Sequence, residues 1–279
     1  MLSPRMWLRR SEAATEHPSE LKVSYNPTEM MTVAAARTLR DSDICFVGIG
    51  MPSAACNLAR LSHAPGITLI YESGTIATKP DVLPLSIGDG ELCDTALTTV
   101  SVPEMFRYWL QGERFTVGFL GGAQIDRFAN LNTTVVGSYD KPKTRLPGGG
   151  GAPEISSACG EIYIIMRQAP RSFVQRLDFV TSFGHGEGSD HRARLGIRNK
   201  GPTRLITDLA VYEPDPVTKE MTVTSVHPGV SADAIRANTG WPVRFAAHAG
   251  QTPHPTQHEL SVLRALHART ARAHDEAAR

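Results

Sequence analysis

One carboxylate stands directly behind an apolar run that has the composition of a buried β-strand. The run covers residues 67–71, and Glu72 and Ser73 follow it before a glycine at position 74. In open α/β sheets, ligands bind outside the carboxyl ends of the strands, so a glutamate at such a point is a candidate reactive group. On these residues alone, an acidic residue that merely caps a strand is the simpler interpretation.

Glycines follow three further apolar or strand-rich stretches and would bring backbone N–H groups to the same edge of a sheet. They are Gly48 and Gly50, Gly121 and Gly122, and Gly149, Gly150 and Gly151 in a run of four glycines that begins at Gly148. Four successive glycines are costly to order, so the run favours a place where a ligand approaches the backbone or amides form an anion nest. A flexible linker is the alternative, but the run lies inside the folded region.

Amide side chains near the second glycine pair extend the set of candidate hydrogen-bond donors. They are Gln124, Asn130 and Asn132. For each of them, an amide that only satisfies loop backbone is at least as good an interpretation. A carboxylate surrounded by such donors suits covalent acyl transfer, in which Glu72 forms a mixed anhydride and the donors stabilise the oxyanion. In characterised enzymes one such donor accounts for roughly 10²–10³ in rate.

Other catalytic motifs are missing from the sequence. Ser53 stands where a dinucleotide-binding G-x-G-x-x-G motif would have its third glycine, and there is neither a phosphate loop nor a nucleophile elbow. The four cysteines contain no C-x-x-C pair, so zinc and redox motifs are not indicated. His185 and His191 belong to a polar loop but would not share a helix face, and we expect no metal site.

The composition indicates a chain that buries a core and carries a balanced charge. Hydrophobic residues make up 41% of the 279 residues, and 29 basic against 28 acidic residues leave a net charge of +1. This balance supports neither a nucleic-acid partner nor a membrane partner, and no apolar run approaches the ~20 residues of a spanning helix. Scattered cysteines favour a reducing cytosol, so we expect a cytoplasmic protein.

The elements that must position these residues follow from local signals. The Asn-Pro-Thr-Glu segment at 26–29 predicts a capped helix that runs to about residue 39. A buried strand at 44–47 leads through the first glycine turn into a helix that Ser53 can cap, and the strand at 67–71 follows. This β-α-β unit implies a parallel sheet. We therefore predict an α/β fold with an open, largely parallel sheet and helices on both faces.

The rest of the chain predicts one domain with flanking segments. Residues 1–25 read as a disordered leader, with Met30 or Met31 as an alternative start, residues 26–272 as a single α/β domain, and residues 273–279 as a frayed tail. The irregular segment 73–102 is expected to line the site. Further strands are predicted at 115–120, 135–136, 162–166, 177–181, 204–207, 209–212 and 221–224, and helices at 103–110, 231–238 and 259–272.

Five short motifs, in their order along the chain, resemble those of the class I coenzyme A transferases. They are Glu72-Ser73-Gly74, GGAQID at 121–126, NLNTT at 130–134, KPKTR at 141–145 and GGGA at 149–152. The resemblance is to the β (B) subunit of glutaconate CoA-transferase and its relatives, and it extends over residues 26–240. Each motif is weak alone, whereas their combination is specific.

The resemblance implies a fold that is class I CoA-transferase-like, of the NagB/RpiA type, in a subunit that pairs with a homologous α (A) subunit. The site would lie between the two subunits, and CoA would move between an acyl-CoA and a carboxylic acid, with a dicarboxylic acid as one option. Glu72 would be the nucleophile and would pass through an acyl-glutamyl anhydride and a glutamyl-CoA thioester. The CoA thioester is a substrate, and neither a metal nor a permanent cofactor is implied. The oxyanion and CoA pocket would comprise Gly48, Gly50, Gly121, Gly122, Gln124, Asn130, Asn132, Gly149, Gly150 and Gly151.

Alternatives stay open at this level. Some members of the superfamily have lost the glutamate and act as hydrolases or decarboxylases, and a non-catalytic acyl-CoA-binding subunit is a further class. Lys141, Lys143 and Arg145 would hold a dicarboxylate or the CoA phosphates, or would form a solvated basic loop. Relatives often have Tyr-Gly-Asn where this chain has Phe-Ala-Asn at 128–130, so that turn must accommodate a Cβ atom.

Overall fold

The computed structural model describes residues 24–277, so the predicted leader lies outside the described residues except for its last two positions. The helices are α1 Pro27–Ala36, α2 Met51–Leu61, α3 Gly90–Asp94, α4 Val102–Glu104, α5 Ala152–Ala158, α6 His191–Arg194, α7 Ala232–Ala237 and α8 Gln257–Ala277, and a π-helical turn, Met105–Leu110, continues α4. The strands are β1 Ile44–Val47, β2 Thr68–Tyr71, β3 Thr75–Ile76, β4 Thr98–Thr99, β5 Val117–Leu120, β6 Gln124–Ile125, β7 Leu131–Asn132, β8 Val135–Gly137, β9 Pro142–Arg145, β10 Glu161–Ile165, β11 Pro202–Ile206, β12 Ala210–Pro214, β13 Met221–Val226 and β14 Arg244–Gln251.

Ten of these strands form one sheet in the order β14-β13-β12-β11-β10-β5-β1-β2-β3-β4. The five central strands, from β11 to β2, are parallel to one another. Antiparallel pairings begin at both margins, with β12 and β13 on one side and β3 and β4 on the other. The hairpins β6–β7 and β8–β9 stand apart from the sheet. The predicted α/β fold with an open, largely parallel sheet is confirmed.

Alternate side chains of the central strands enter two separate apolar cores. On β1, Cys45 and Val47 lie in a core that also contains the buried residues of α1, those of α2, and Leu263 of α8. Phe46, between them, lies in a second core together with Ile155 of α5. A parallel strand that is buried on both faces needs helices on both sides of the sheet, and this is the predicted arrangement.

Helix α1 is capped as predicted and is tied to α8 by ion pairs. Asn26 Oδ1 accepts a hydrogen bond from the Glu29 N–H at 2.9 Å, and Glu29 Oε2 accepts one from the Asn26 N–H at 2.9 Å. Arg264 of α8 lies 2.6 Å from Glu29, and Arg37, which directly follows α1, lies 2.7 Å from Glu259 of α8. Within residues 24–277, no helix is both long enough and apolar enough to cross a membrane.

The prediction that Ser53 caps α2 is wrong. The helix begins at Met51, directly after Gly50, so Ser53 is already inside its first turn. Its hydroxyl is buried and lies 2.7 Å from the hydroxyl of Tyr71 at the end of β2. The Ser53 hydroxyl, which the local pattern predicted to cap the helix, therefore pairs with a distant segment of the chain instead.

The other predicted strands are present with ends that shift by at most two residues, but the strand predicted at 177–181 is wrong. That stretch is irregular, and isolated bridges at Phe173 and Ser182 link only its flanks to β6 and β7. It has no neighbouring strand to pair with, and residues 178–180 are exposed. Strand β14 was not predicted, because most of its side chains are exposed and give no apolar pattern.

Two further segments are more regular than the sequence suggested. The irregular segment 73–102 contains β3, α3 and β4, and β3 and β4 extend the sheet beyond β2. Helix α8 continues to Ala277, so residues 273–277, which were predicted to fray, are helical.

The path of the chain reverses along the sheet at β1. From β1 the chain passes through α2 to β2 on one side, whereas β5 pairs with β1 on the other side. In open α/β sheets the crevice outside the carboxyl ends of the strands at such a switch point is the usual ligand position. The ends of β1, β2 and β5 therefore define where the site should lie.

Candidate active site

A cleft of about 740 Å³ opens at the carboxyl ends of the central strands. Its walls are the turn after β1, the residue after β2, the end of β5 and the loop that leads into α5. Among these lining residues, all of which the structure describes, Glu72 alone has a titratable side chain. The lining consists of residues 46–52, 72, 87, 119–121, 147–152, 155 and 165.

Backbone contacts close the turn that carries Glu72. The Gly74 N–H donates to the Tyr71 carbonyl at 3.0 Å, and the Gly74 carbonyl accepts from the Val100 N–H at 2.9 Å. Gly74 has a φ of +100°, and a Cβ atom there would lie 1.9 Å from the carbonyl oxygen of Val100. Glycine is therefore required at this position, and the closed turn determines the direction in which Glu72 leaves the sheet.

The carboxylate of Glu72 is half-buried beside Gly151. A Cβ atom built on Gly151 would lie 2.9 Å from Glu72 Oε1 and 2.7 Å from Phe106 Cζ, so the ends of both side chains lie close to the bare backbone of Gly151. Burial raises the pKa of Glu72, and the nearby backbone N–H of Gly151 opposes this rise. The pKa rises because loss of water destabilises the charged form. A perturbed pKa in a cleft is a feature of functional carboxylates.

Phe106 lies next to Gly151 on the π-helical turn that continues α4. Such turns are frequent at functional sites. Its ring packs edge to face on Phe46, with centroids 6.2 Å apart, while Met105 and Leu110 anchor the turn in the second core. The apolar spacing predicted a helix at this point, but it contained no signal for π-helical geometry or for the position of Phe106 beside Gly151.

Six of the seven glycines that were predicted for the pocket line the same cleft as Glu72. Gly48, Gly50, Gly121 and the three glycines 149–151 line the cleft together with Glu72. In the described part of the chain, the backbone N–H groups of Gly149 and Gly150 have no hydrogen-bond acceptor. Free N–H groups beside a reactive carboxylate are suited to bind an oxyanion.

Gly122 does not line the cleft. A Cβ atom there would lie 3.2 Å from both the Gln124 carbonyl oxygen and Leu131 Cδ2. The small size of this residue thus allows close packing at the β6–β7 hairpin, next to the cleft but outside it.

The amide side chains of Asn132 and Gln124 also lie outside the cleft. Asn132 is fully buried, and its Nδ2 donates to Gln124 Oε1 at 2.7 Å and to the Val135 carbonyl at 2.6 Å. Gln124 Nε2 donates to Asp178 at 2.9 Å. These bonds join the β6–β7 hairpin to its neighbouring loops, which matches the structural interpretation of both amides.

Asn130 satisfies polar groups of its own turn and of the polar loop at 184–188. Its Nδ2 donates to Asp126 at 2.8 Å and to the Gly186 carbonyl at 2.9 Å, and its Oδ1 accepts from the Gly184 N–H at 2.8 Å. The preceding Ala129 has a φ of +58°, in a left-handed region that alanine rarely adopts. The turn therefore accommodates the Cβ atom at a cost in strain, and the bonds of Asn130 help to hold it.

The two histidines of the polar loop are engaged within the protein. His185 is buried with Nε2 2.8 Å from the Pro202 carbonyl oxygen, and burial lowers its pKa to about 4. His191 Nδ1 accepts from the Glu187 N–H at 3.0 Å. Over residues 24–277, no group of three His, Cys, Asp or Glu side chains is placed to hold a metal ion.

Apolar residues that sequence reasoning did not single out complete the walls. Ile49 and Met51 come from the turn after β1, Pro147 precedes the glycine run, and Ile87 comes from the 73–102 segment that was expected to line the site. No Lys, Arg or His side chain is part of the lining. The cleft thus combines one carboxylate, free backbone N–H groups and apolar walls.

Comparison with known proteins identifies the family of this chain. Residues 28–238 match the family model for coenzyme A transferase. The chain is 59% identical over 253 residues to the B subunit of 3-oxoadipate CoA-transferase from Pseudomonas knackmussii, covering 91% of this chain and 97% of that protein. It is 34% identical over 224 residues to the B subunit of glutaconate CoA-transferase from Acidaminococcus fermentans, covering 78% and 84%.

A solved structure gives the same result at the level of the fold. The crystal structure of glutaconate coenzyme A-transferase from Acidaminococcus fermentans superposes with a TM-score of 0.81 and 30% identity, covering 86% of this chain and 94% of that one. The resemblance to class I CoA-transferases is thereby confirmed. The chain belongs to the coenzyme A transferase family and is of the β (B) type.

Proposed function

We propose that this chain is the β (B) subunit of a heteromeric 3-oxoadipate CoA-transferase whose α (A) subunit completes the active site. The observation that carries the proposal is the half-buried Glu72 in a glycine-lined cleft, where the N–H groups of Gly149 and Gly150 have no acceptor among the described residues. The name of the relative at 59% identity supports a 3-oxo dicarboxylic acid as the acid that receives CoA. The proposed reaction uses the CoA thioester as substrate and needs no permanent cofactor.

In the first half-reaction, the ionised Glu72 carboxylate attacks the thioester carbonyl of the acyl-CoA donor. Loss of CoA thiolate leaves an acyl-glutamyl anhydride. The thiolate then attacks the side-chain carbonyl carbon of Glu72 and releases the donor acid, so that a glutamyl-CoA thioester remains. One thioester is broken and one is formed, which makes the half-reaction balanced without another reactant.

In the second half-reaction, the acceptor carboxylate attacks the glutamyl-CoA thioester and expels CoA thiolate. The thiolate attacks the acceptor acyl carbon of the new anhydride, which yields the product acyl-CoA and restores Glu72. Each attack creates an oxyanion, and the N–H groups of Gly149 and Gly150 are the proposed donors to it. The apolar walls and Phe106 keep water away from the anhydride and the thioester, both of which hydrolyse.

The composition of the cleft supports the requirement for an α subunit. A dicarboxylic acid has a second carboxylate, and the lining contains no cationic side chain to pair with it. An unpaired carboxylate in an apolar cleft is costly. We infer that the partner subunit covers the open side of the cleft and supplies the basic group.

The test is CoA transfer by this chain co-purified with its α subunit. Acetyl-CoA, succinyl-CoA and glutaryl-CoA are offered in turn as donors with 3-oxoadipate as acceptor, and Glu72→Ala is expected to reduce transfer by more than about 10³-fold. Borohydride, which reduces a glutamyl thioester, should inactivate the wild-type complex only after incubation with a donor. Inactivation without a donor, or full activity of the variant, contradicts the proposal.

The same assay separates the alternatives. Turnover of acyl-CoA without any carboxylic acid acceptor would identify a hydrolase or decarboxylase on this fold. Normal transfer after replacement of Glu72, together with binding of acyl-CoA, would identify a non-catalytic subunit whose partner carries the reactive residues.

A cytoplasmic location fits this function and is part of the proposal. All four cysteines are free thiols, and Cys93 is exposed. Free thiols persist in reducing compartments, whereas oxidising compartments favour disulfides. Fractionation of cells that express the tagged chain tests the location.

A further inference from the structure

A stacked aromatic pair with a guanidinium group over it lies outside the Glu72 cleft. The rings of Tyr139 and Phe179 are 5.5 Å apart at an angle of 25°, and Arg145 lies 4.5 Å from the centroid of the Tyr139 ring. Arg145 also donates to the Tyr139 carbonyl at 2.8 Å, which fixes its position. Tyr139 is 53% exposed and Phe179 36% exposed. We call Tyr139, Arg145, Phe179 and the neighbouring Lys143 the rim platform.

Two independent chain segments place the rim platform at the edge of the cleft. Along the first, β9 ends at Arg145, and Pro147 already lines the cleft. Along the second, Thr181 stands two residues after Phe179, and its Cγ2 is 3.4 Å from the position of a Cβ atom on Gly149. Because a chain extends by at most ~3.6 Å per residue, both halves of the platform lie close to the glycine run.

The basic side chains of this edge are not neutralised. Lys143 and Arg145 lie on the same face of β9 because side chains alternate along a strand, and Lys141 precedes them. Within the described residues, no carboxylate lies within ion-pair distance of any of these three groups. Asp140 is exposed beside them, so the segment keeps an excess of positive charge.

A shallow cavity of about 450 Å³ continues the platform on the side of Phe179. Its charged lining residues are Arg127 and Arg176 together with Asp126, Asp178 and Glu187. Arg127 lies 4.8 Å over the ring of Phe128, so a second guanidinium–aromatic pair stands in this cavity. Aromatic rings and guanidinium groups therefore lie side by side at this edge of the cleft.

We propose that the rim platform binds the phosphate-bearing nucleotide end of CoA while the thioester lies at Glu72. Aromatic rings and guanidinium planes stack on nucleobases, and Lys and Arg bind phosphate oxygens through charge-assisted hydrogen bonds. The inference rests on the proposed function, because it assumes that the thioester reaches Glu72. The pantetheine arm then runs along the loop at 146–149, from the platform into the cleft.

Binding of CoA and of pantetheine, which lacks the nucleotide, tests the proposal. Isothermal titration of the co-purified complex with each compound is compared for wild type, Lys143→Ala, Arg145→Ala and Phe179→Ala. Loss of one phosphate contact is expected to weaken CoA binding about ten-fold, and loss of a stacking ring by roughly 5- to 150-fold. Affinity for pantetheine should not change.

Lys200→Ala is the matched control. Lys200 is also an exposed lysine, but it precedes β11 and lies near Glu161 at the start of β10. It is therefore at the amino ends of the central strands, opposite to the carboxyl ends where the cleft lies. Its replacement removes the same charge and should leave CoA affinity unchanged. Circular dichroism melts verify that all variants fold, as expected for changes at exposed positions.

Three results would overturn the inference. They are unchanged CoA affinity in all platform variants, an equal loss of affinity for CoA and pantetheine, and dissociation of the two subunits, which would make this surface a subunit contact. Failure of the proposed function gives a different result, which is the absence of CoA transfer by the wild-type complex, whatever the CoA affinities of the platform variants.

Discussion

Gly151 and Glu72 are so close that no side chain fits between them: a Cβ atom on Gly151 would lie 2.9 Å from Glu72 Oε1. The same atom would lie 2.7 Å from Phe106 Cζ. Gly151 itself has a φ of −81° and a ψ of −5°, which any residue can adopt. The glycine is therefore needed for space at the carboxylate and not for its backbone conformation.

Gly151→Ala should consequently damage activity more than stability. The methyl group meets the ends of two flexible side chains, which can move aside, but Glu72 then leaves its position. A displacement of about 1 Å at a reacting group can cost 10²-fold in rate, and we expect a loss of about that size in kcat/KM with little change in Tm. Gly90→Ala, where no atom lies within 4 Å of the added methyl, is the control. Normal kcat/KM in Gly151→Ala would refute the close packing of the site.

Glu72→Gln should stabilise the protein at neutral pH. Burial raises the pKa of Glu72 in the folded state, so the stability of wild type falls as pH rises through that pKa and the buried carboxyl ionises. Below the pKa of the unfolded chain the carboxyl is neutral in both states, and the variant should then match wild type. Urea unfolding from pH 4 to pH 8 measures the difference, and an advantage that grows on acidification contradicts the prediction.

Phe106→Ala should shift the pH dependence of transfer. Removal of the ring lets water reach Glu72, so its pKa falls toward the ordinary value and the acidic limb of kcat/KM moves to lower pH. Tyr108→Ala is the matched control, since Tyr108 belongs to the same π-helical turn but is 60% exposed. An unchanged limb in Phe106→Ala would mean that other walls exclude water from the carboxylate.

Asn132→Ala should destabilise the fold instead of removing an oxyanion donor. The Asn132 amide donates to Gln124 and Val135 and accepts from the Thr134 N–H at 3.0 Å. Leaving two of these buried groups unpaired costs about 2–4 kcal/mol in the free energy of unfolding. Asn238→Ala, which removes one bond to the Ala234 carbonyl, should cost about 1 kcal/mol. A 10²- to 10³-fold loss of kcat at unchanged stability would instead identify Asn132 as a donor.

The sequence by itself determined the elements and the single carboxylate around which they are arranged. The capping box of Asn26 and Glu29 and the strand before Glu72 are present as predicted, apart from a shift of one residue in the start of β2. These features depend on neighbours within a few residues, and capping bonds and buried strand composition act over that range. The glycine run at 149–151 could also be predicted to form part of a ligand site. The conformational entropy that is lost when glycines are ordered depends on the residues themselves and not on distant neighbours.

Only the tertiary structure decided which polar and aromatic groups lie near Glu72 and which bind elsewhere in the protein. The Ser53 hydroxyl pairs with that of Tyr71, Asn132 donates to Gln124, and Phe106 of the π-helical turn packs beside Phe46 and Gly151. Each outcome depends on a group from a distant part of the chain that packing brings near. The local pattern of apolar residues cannot predict such a neighbour. Local pattern could therefore propose Glu72 and the glycines, whereas long-range packing selected the neighbours that set its pKa and its access to substrate.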